Sequence, residues 1–406
     1  MSMPSLAGSA RRAPLPMILM AMLFPVFMAF AYPGSYLSAM LQPAPDHMQL
    51  AVVESTEEAP QIAQQLQAEG GDAVDVTTVP DVKSAKSDVT HLDVRAAYDP
   101  ETGDLFTASA GGAQATSAAQ SIFQKVADQT DQTLAVHDLK KPVDADSTGT
   151  GFMYMLTASL VAGYVTATML TSLAKGARLR TKLAVQALMA VIAGVLTAGV
   201  CFGFYGVYDQ HLVGAALISS ALFLTATVVQ LGVAGLLGQA STLVGITLFV
   251  ILGVPASGVA ATADMLPGFF RVLHRLLPSG AGGELFRRVL YFDSHGIGSW
   301  VLLLVTWFLL GLGMIWLGTL RSPHSDPSTS VVTEEREHLR AHPDGGMFTA
   351  YDESSAPSAP SAPSADEPAH APAATTDRTD VAEAAAIEHE RAPLAPRHRA
   401  QEEGLA

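Results

Sequence analysis

Long apolar runs alternate with polar stretches along this chain. Residues 13–42 carry no charge, and 16–36 are dense in Met, Leu, Phe and Ala. Residues 152–174, 183–208, 212–263 and 297–320 are uncharged too. A helix needs ~20 apolar residues to cross a bilayer. The run 212–263 is too long for one crossing and turns near GQAST, 238–242. Six spans are therefore expected, one and then five: 16–36, 152–174, 183–207, 212–236, 240–262 and 297–320. A five-span reading would leave an apolar run unused.

Between the first two runs the pattern changes. QLAVVE (49–54), AVDVTTV (73–79), DLFTASA (104–110) and TLAVHDL (133–139) read as strands. EEAPQIAQQLQAEGG and SAAQSIFQKVADQ (117–129) have helical spacing. Strands alternating with helices predict a small α/β domain over 43–150.

Charge is distributed in zones. The 406 residues carry a net −15, but 43–150 holds −12 and 321–406 holds −9, which leaves the apolar remainder at +6. No soluble part is basic, so nucleic acid is not a partner. Lys and Arg in short loops set the orientation. Arg11 and Arg12 precede the first span, and Lys175, Arg178, Arg180 and Lys182 follow the second with no acid among them. Both segments are expected on the cytoplasmic side of a plasma membrane. That exports 43–150 and leaves both termini, 1–15 and 321–406, inside. A cleaved signal peptide is the alternative for the first span, with an A-x-A-like site at Ala29–Ala31. The tail 321–406 is rich in Pro, Ala, Ser and Glu, with SAPSAPSAPSA at 355–365, and is expected to be disordered.

The motifs argue against an enzyme and against a cofactor. There is no Walker-type glycine loop and no HExxH. Cys201 is the only cysteine and lies in an apolar run. His338 and His342 lack a third metal ligand. VPASG (254–258) offers a serine but no base in the same span. No catalytic, cofactor-binding or metal residue is assigned.

One segment departs from its apolar surroundings: LPGFFRVLHRLLPSGAGGELFRRVLYF, 266–292. Arg271, His274 and Arg275 share one helical face, with Phe269, Val272, Leu273 and Leu276 opposite. Glu284, Arg287, Arg288 and Tyr291 repeat the arrangement against Leu285, Phe286, Val289 and Leu290. Pro278 and the small residues after it are expected to break the pair. The pattern predicts an amphipathic hairpin at the outer interface, its arginines reaching headgroup phosphates.

One span, an exported α/β domain, five further spans and a hairpin before the last resemble the type-2 ABC exporter permeases. More narrowly, the chain resembles the phage-infection-protein-like membrane proteins of Gram-positive bacteria, above all the actinobacterial ones. The segment GVPASGVAATADMLPGFFRVLHRLLPSGAGGELFRRVLYFD (253–293) carries the likeness, supported by 99–127 and 150–164. It is similar to the family's Pro-Ser-Gly turn, Leu-Pro, and Leu-Pro-x-Gly-Ala followed by Arg and Tyr-Phe. Ala256 stands where the family often has a second serine. The resemblance implies a homodimer, contact with membrane lipids, a separate ATPase and outward movement of a lipid-like or other hydrophobic substrate. It places the gate or interface at Pro255, Ser257, Gly258, Leu266, Pro267, Arg271, Arg275, Pro278, Gly280, Arg287, Arg288 and Tyr291. Lys175, Arg178, Arg180 and Lys182 become the candidate cytoplasmic coupling loop. The competing reading is a non-transporting envelope scaffold, phage-receptor-like protein or sensor.

Overall fold

A computed structural model describes residues 15–41, 43–174 and 176–321. The tail from 322, the first 14 residues and Lys175 lie outside the described residues.

The chain opens with α1, Leu15–Met40, which contains Pro25 and Pro33. The α/β domain follows. Its elements are β1 (Met48–Val53), α2 (Ala59–Gly70), β2 (Val74–Val79), α3 (Val82–His91), β3 (Ala96–Asp99), β4 (Asp104–Thr107), α4 (Ala113–Gln129) and β5 (Ala135–Asp138). The sheet order is β2-β1-β3-β4-β5, parallel except for the antiparallel β3–β4 pair. One face buries Leu50, Val52, Tyr98 and Leu105 with Phe123 of α4. The other buries Ala51, Val53, Ala97 and Phe106 with Ala85 and Val89 of α3. That alternation is the period of two expected of a sheet covered on both faces.

Two elements here escaped the sequence reading. The helix α3 is polar, and its start is marked by Asp81, whose side chain accepts from the Ser84 amide at 2.7 Å. The strand β3 is only four residues long and wholly buried, so it shows no alternation.

The helical part begins with α5 (Thr150–Leu173), followed by α6 (Leu179–Gly199), which widens into a π-helical turn at Val200–Phe204. Next come α7 (Leu212–Leu237), α8 (Ser241–Ile246) with a π-helical turn to Ile251, α9 (Gly268–Leu276), α10 (Pro278–Tyr291) and α11 (Gly298–Arg321). Among the described residues, four helices are long and apolar enough to cross a membrane: 150–173, 179–204, 212–237 and 298–321. The chain is thus a helical membrane protein with an α/β sheet region.

Helix α7 is apolar on every side because it sits at the centre, packed by α5, α6 and α11. Small residues set the spacing. A Cβ on Gly163 of α5 would lie 2.4 Å from the Phe223 carbonyl, and one on Gly311 of α11 would lie 2.8 Å from the Val229 amide. Such glycines let backbones approach where lipid gives no hydrophobic drive for association.

The run 240–262 is not one helix, contrary to expectation. Regular winding stops at Ile251, and 252–267 is a series of short turns. Pro255 and Gly258, the latter at φ 74°, account for the stop. The 11 residues from Ser241 to Ile251 span roughly 16 Å, about half a bilayer core.

Candidate functional site

The hairpin α9–α10 is built around an abrupt corner. Leu277 adopts an extended backbone (φ −89°, ψ 151°), and Pro278 opens α10 at its first position, where its missing N–H costs nothing. The expected break over PSGAGG is therefore confined to Leu277, and the small residues form the first turns of α10. They are small because of what they touch. A Cβ on Gly280 would lie 1.9 Å from the His274 carbonyl, and one on Gly283 would lie 2.2 Å from the Ser257 carbonyl. The corner thus wedges against both α9 and the turn Pro255–Ser257.

The charged face of α9 does not lie outward as expected, and α10 is enclosed on both faces, with Leu285, Phe286 and Val289 buried as well. Phe269, Val272 and Leu276 of α9 are exposed, whereas His274 is buried. On α10, Arg287 is 1% exposed and Glu284 5%. The charged faces turn inward because they have partners there.

Glu284 is the centre of that cluster. It is bonded to Nη1 of Arg287, accepts from Nε of Arg288 at 3.3 Å and lies 3.9 Å from Nε2 of His274. The spacing i, i+3, i+4 on one helix places both arginines beside it. Burial alone would raise the Glu284 pKa, but Arg287, His274, Arg288 and Arg95 bring it down to about 2. Burial holds the His274 imidazole below its usual range, outweighing Glu284. His274 and the Ala256 carbonyl are hydrogen-bonded through Nδ1 at 3.0 Å, which requires that nitrogen to carry the proton. Nη2 of Arg287 donates to the Gly258 carbonyl. Two carbonyls of the irregular 252–267 segment, those of Ala256 and Gly258, are thus met by hairpin side chains, as buried backbone requires.

A second set of pairs ties the hairpin region to the α/β domain. Nε of Arg95 donates to Asp264 at 2.8 Å, and Nη1 of Arg95 donates to the Gly111 carbonyl at 3.0 Å. Burial opposes the charge on Arg95, and Asp264 with Glu284 raises its pKa despite that. Arg271 pairs with Asp46, and Lys140 with Asp293 at 2.9 Å.

The expected gate residues thus fall into groups. Pro255, Ser257, Gly258, Pro278, Gly280 and Arg287 are buried in one contact region, with Arg288 at its edge. Leu266 is buried in the core of the α/β domain, while Pro267 is exposed and starts α9. Tyr291 packs edge-on to Phe152 and Tyr208. Arg275 alone among the four arginines is exposed, so headgroup contact is corrected for Arg271, Arg287 and Arg288, which are engaged within the protein. The sequence reading singled out neither Asp46, Arg95 nor Asp264. Their partners lie far off in the chain, 169 positions apart for Arg95 and Asp264, beyond any local pattern.

At the far end of the bundle, Arg178 flanks the start of α6, and Arg180 and Lys182 lie in its first turns. Arg178 and Arg180 are exposed. Positive charge at a helix N-terminus opposes the macrodipole, so these residues do not serve helix stability. Lys182 lines a 650 Å³ cavity with Thr168, Ser241 and Thr319, at the ends of α5, α8 and α11.

The family model described as ABC-2 family transporter protein matches residues 16–318. The chain belongs to that family. It is a multi-pass membrane permease component of an ABC-2 transporter, a non-catalytic transmembrane subunit. ABC-2 permeases typically partner with an ABC ATPase. No curated protein and no solved structure matches the permease.

Proposed function

We propose that this permease exports a lipid-like or other hydrophobic substrate, working as a pair of copies with a separate ATPase subunit. The observation that carries the substrate class is an apolar groove of 440 Å³ between α7, α10 and α11. It is lined by Leu217, Leu224, Leu285, Val289, Val301 and Phe308 and runs along the side of the bundle. A groove of that composition suits an acyl chain entering from the bilayer and gives little to a polar solute. Its α10 wall is the same helix that carries Glu284 and Arg287, so movement of the hairpin would reshape it.

Six crossings are proposed: α1, α5, α6, α7, the α8 region through 262, and α11. The basic segment at Arg178, Arg180 and Lys182 faces the cytoplasm by the positive-inside rule. Both termini then lie inside and the α/β domain outside. That segment, with Lys175, is proposed as the ATPase docking point. The closer kinship to actinobacterial phage-infection-protein-like proteins is part of the same proposal.

The test is affinity purification from mild detergent with mass spectrometry of what accompanies the protein. A stoichiometric nucleotide-binding subunit, lost in Arg178→Glu/Arg180→Glu, is expected. Repeated recovery without any ATPase would sink the proposal.

A further inference from the structure

The helix α4 begins at Gly112 with no side-chain cap. The first amides of this 17-residue helix therefore present partial positive charge with no protein carboxylate to meet it. Beside them lies a cavity of about 330 Å³, walled by the start of α4, the start of α5 and α10. Ala113 and Gln114 of α4 line it, as do Thr148 and Thr150, and no carboxylate is among the described residues lining it.

Arg287 lines the same cavity. Its Nη1 and Nη2 are taken by Glu284 and the Gly258 carbonyl, but its buried Nε–H has no acceptor among the described residues. A buried cationic donor left without a partner can accommodate an added acceptor. The Thr148 and Thr150 hydroxyls are 2.6 Å apart. One donates to the other, and the acceptor's own proton is left to donate outward. Asp146, the nearby acid, is occupied elsewhere. Its oxygens accept from the Thr150 and Gly151 amides at 2.7 and 2.8 Å and from the Tyr208 hydroxyl at 2.6 Å.

The start of an uncapped helix, an arginine with an unpaired guanidinium N–H and a pair of threonine hydroxyls line one space. Together they suit a ligand with several acceptor oxygens in a tetrahedral array. We propose that this cavity binds a phosphate group, either a free phosphate or the phosphate of a lipid headgroup. The site is separate from the lateral groove, and its occupancy does not depend on whether the protein exports anything.

The test uses purified full-length protein in a neutral detergent and isothermal titration calorimetry. The probes are inorganic phosphate and, separately, dihexanoyl phosphatidic acid. The informative variant is Ala113→Asp/Gln114→Glu. Both positions are exposed, and acids suit a helix N-terminus, so folding is retained while the cavity gains negative charge. Arg287→Gln serves as a second variant, read only where its melting temperature matches the parent. Saturable binding of either probe is expected, weakened at least ~10-fold by the acidic variant, about 1.4 kcal/mol. Phosphate bound alone identifies a free-anion site, and phosphatidic acid bound alone identifies a headgroup site. Binding of neither probe, or equal binding by the acidic variant and the parent, overturns the proposal.

Discussion

Arg95, ahead of β3, and Asp264, 169 positions later, meet at 2.8 Å and join the α/β domain to the segment that enters the hairpin. Neither side chain is more than a fifth exposed, at 18% and 12%. Removing one partner strands the other, which for buried pairs costs about 3–5 kcal/mol. Arg95→Ala and Asp264→Ala should each lower the thermal midpoint strongly. The double variant should fall well short of the sum of the two losses. Additive losses in denaturation of the detergent-solubilised protein would show that the pair is not coupled.

Gly280 and Gly268 make a matched comparison. A Cβ at 280 meets the His274 carbonyl at 1.9 Å, whereas one at 268 meets nothing within 4 Å. Gly280→Ala should cost about 3 kcal/mol or more, since backbone rather than a flexible side chain must move. Gly268→Ala should leave stability unchanged or slightly raised. Expression level and melting temperature of the two variants decide it.

Stability should fall on acidification, in two stages. The His274 pKa is depressed in the fold, so its neutral form contributes stability above the unfolded value near 6.5, which is lost as pH falls below it. Glu284 is held at about 2 against an ordinary 4.5, so its contribution is present above about 4.5 and lost as pH falls toward 2. That second contribution is of order 3 kcal/mol. Melting curves from pH 8 to 3 should show both stages. His274→Asn should flatten the first and Glu284→Gln the second.

Asp146 anchors the start of α5 by accepting from two amides and from the Tyr208 hydroxyl. Asp146→Ala removes the acceptor of all three bonds, so about 2 kcal/mol should be lost. Tyr208→Phe should cost about 1 kcal/mol, because it removes only one of the three bonds. Chemical denaturation followed by tryptophan fluorescence separates them.

Much of this architecture was legible from local pattern. Helices α5, α6, α7 and α11 announce themselves as uncharged runs, and the Arg–His–Arg and Glu–Arg–Arg spacings mark the hairpin faces. Spacing alone does not tell which face turns inward. In water the apolar faces would be buried. Here Phe269 and Val272 are exposed and His274 is enclosed, because the hairpin's charges find partners in Asp46 and in the carbonyls of a broken helix. The break was missed because 240–262 is uncharged throughout and hydropathy does not register a change of backbone course, although Pro255 and Gly258 marked it in the sequence. The PSGAGG stretch misled in the opposite sense. Its small residues answer to the close approach of two carbonyls, and winding continues through them.

The stretch after Ile251 has a mechanical consequence. Three of the backbone oxygens here are held by side chains from distant places: Ile251 by Ser35 of α1, Ala256 by His274 and Gly258 by Arg287. At the hairpin corner the Leu276 carbonyl is held in the same way, by the Trp307 indole of α11 at 2.6 Å. A continuous helix yields only by unwinding, because each of its bonds supports the next. These anchors come from α1, α9, α10 and α11, so the course of the segment is fixed by four helices at once and not by winding of its own.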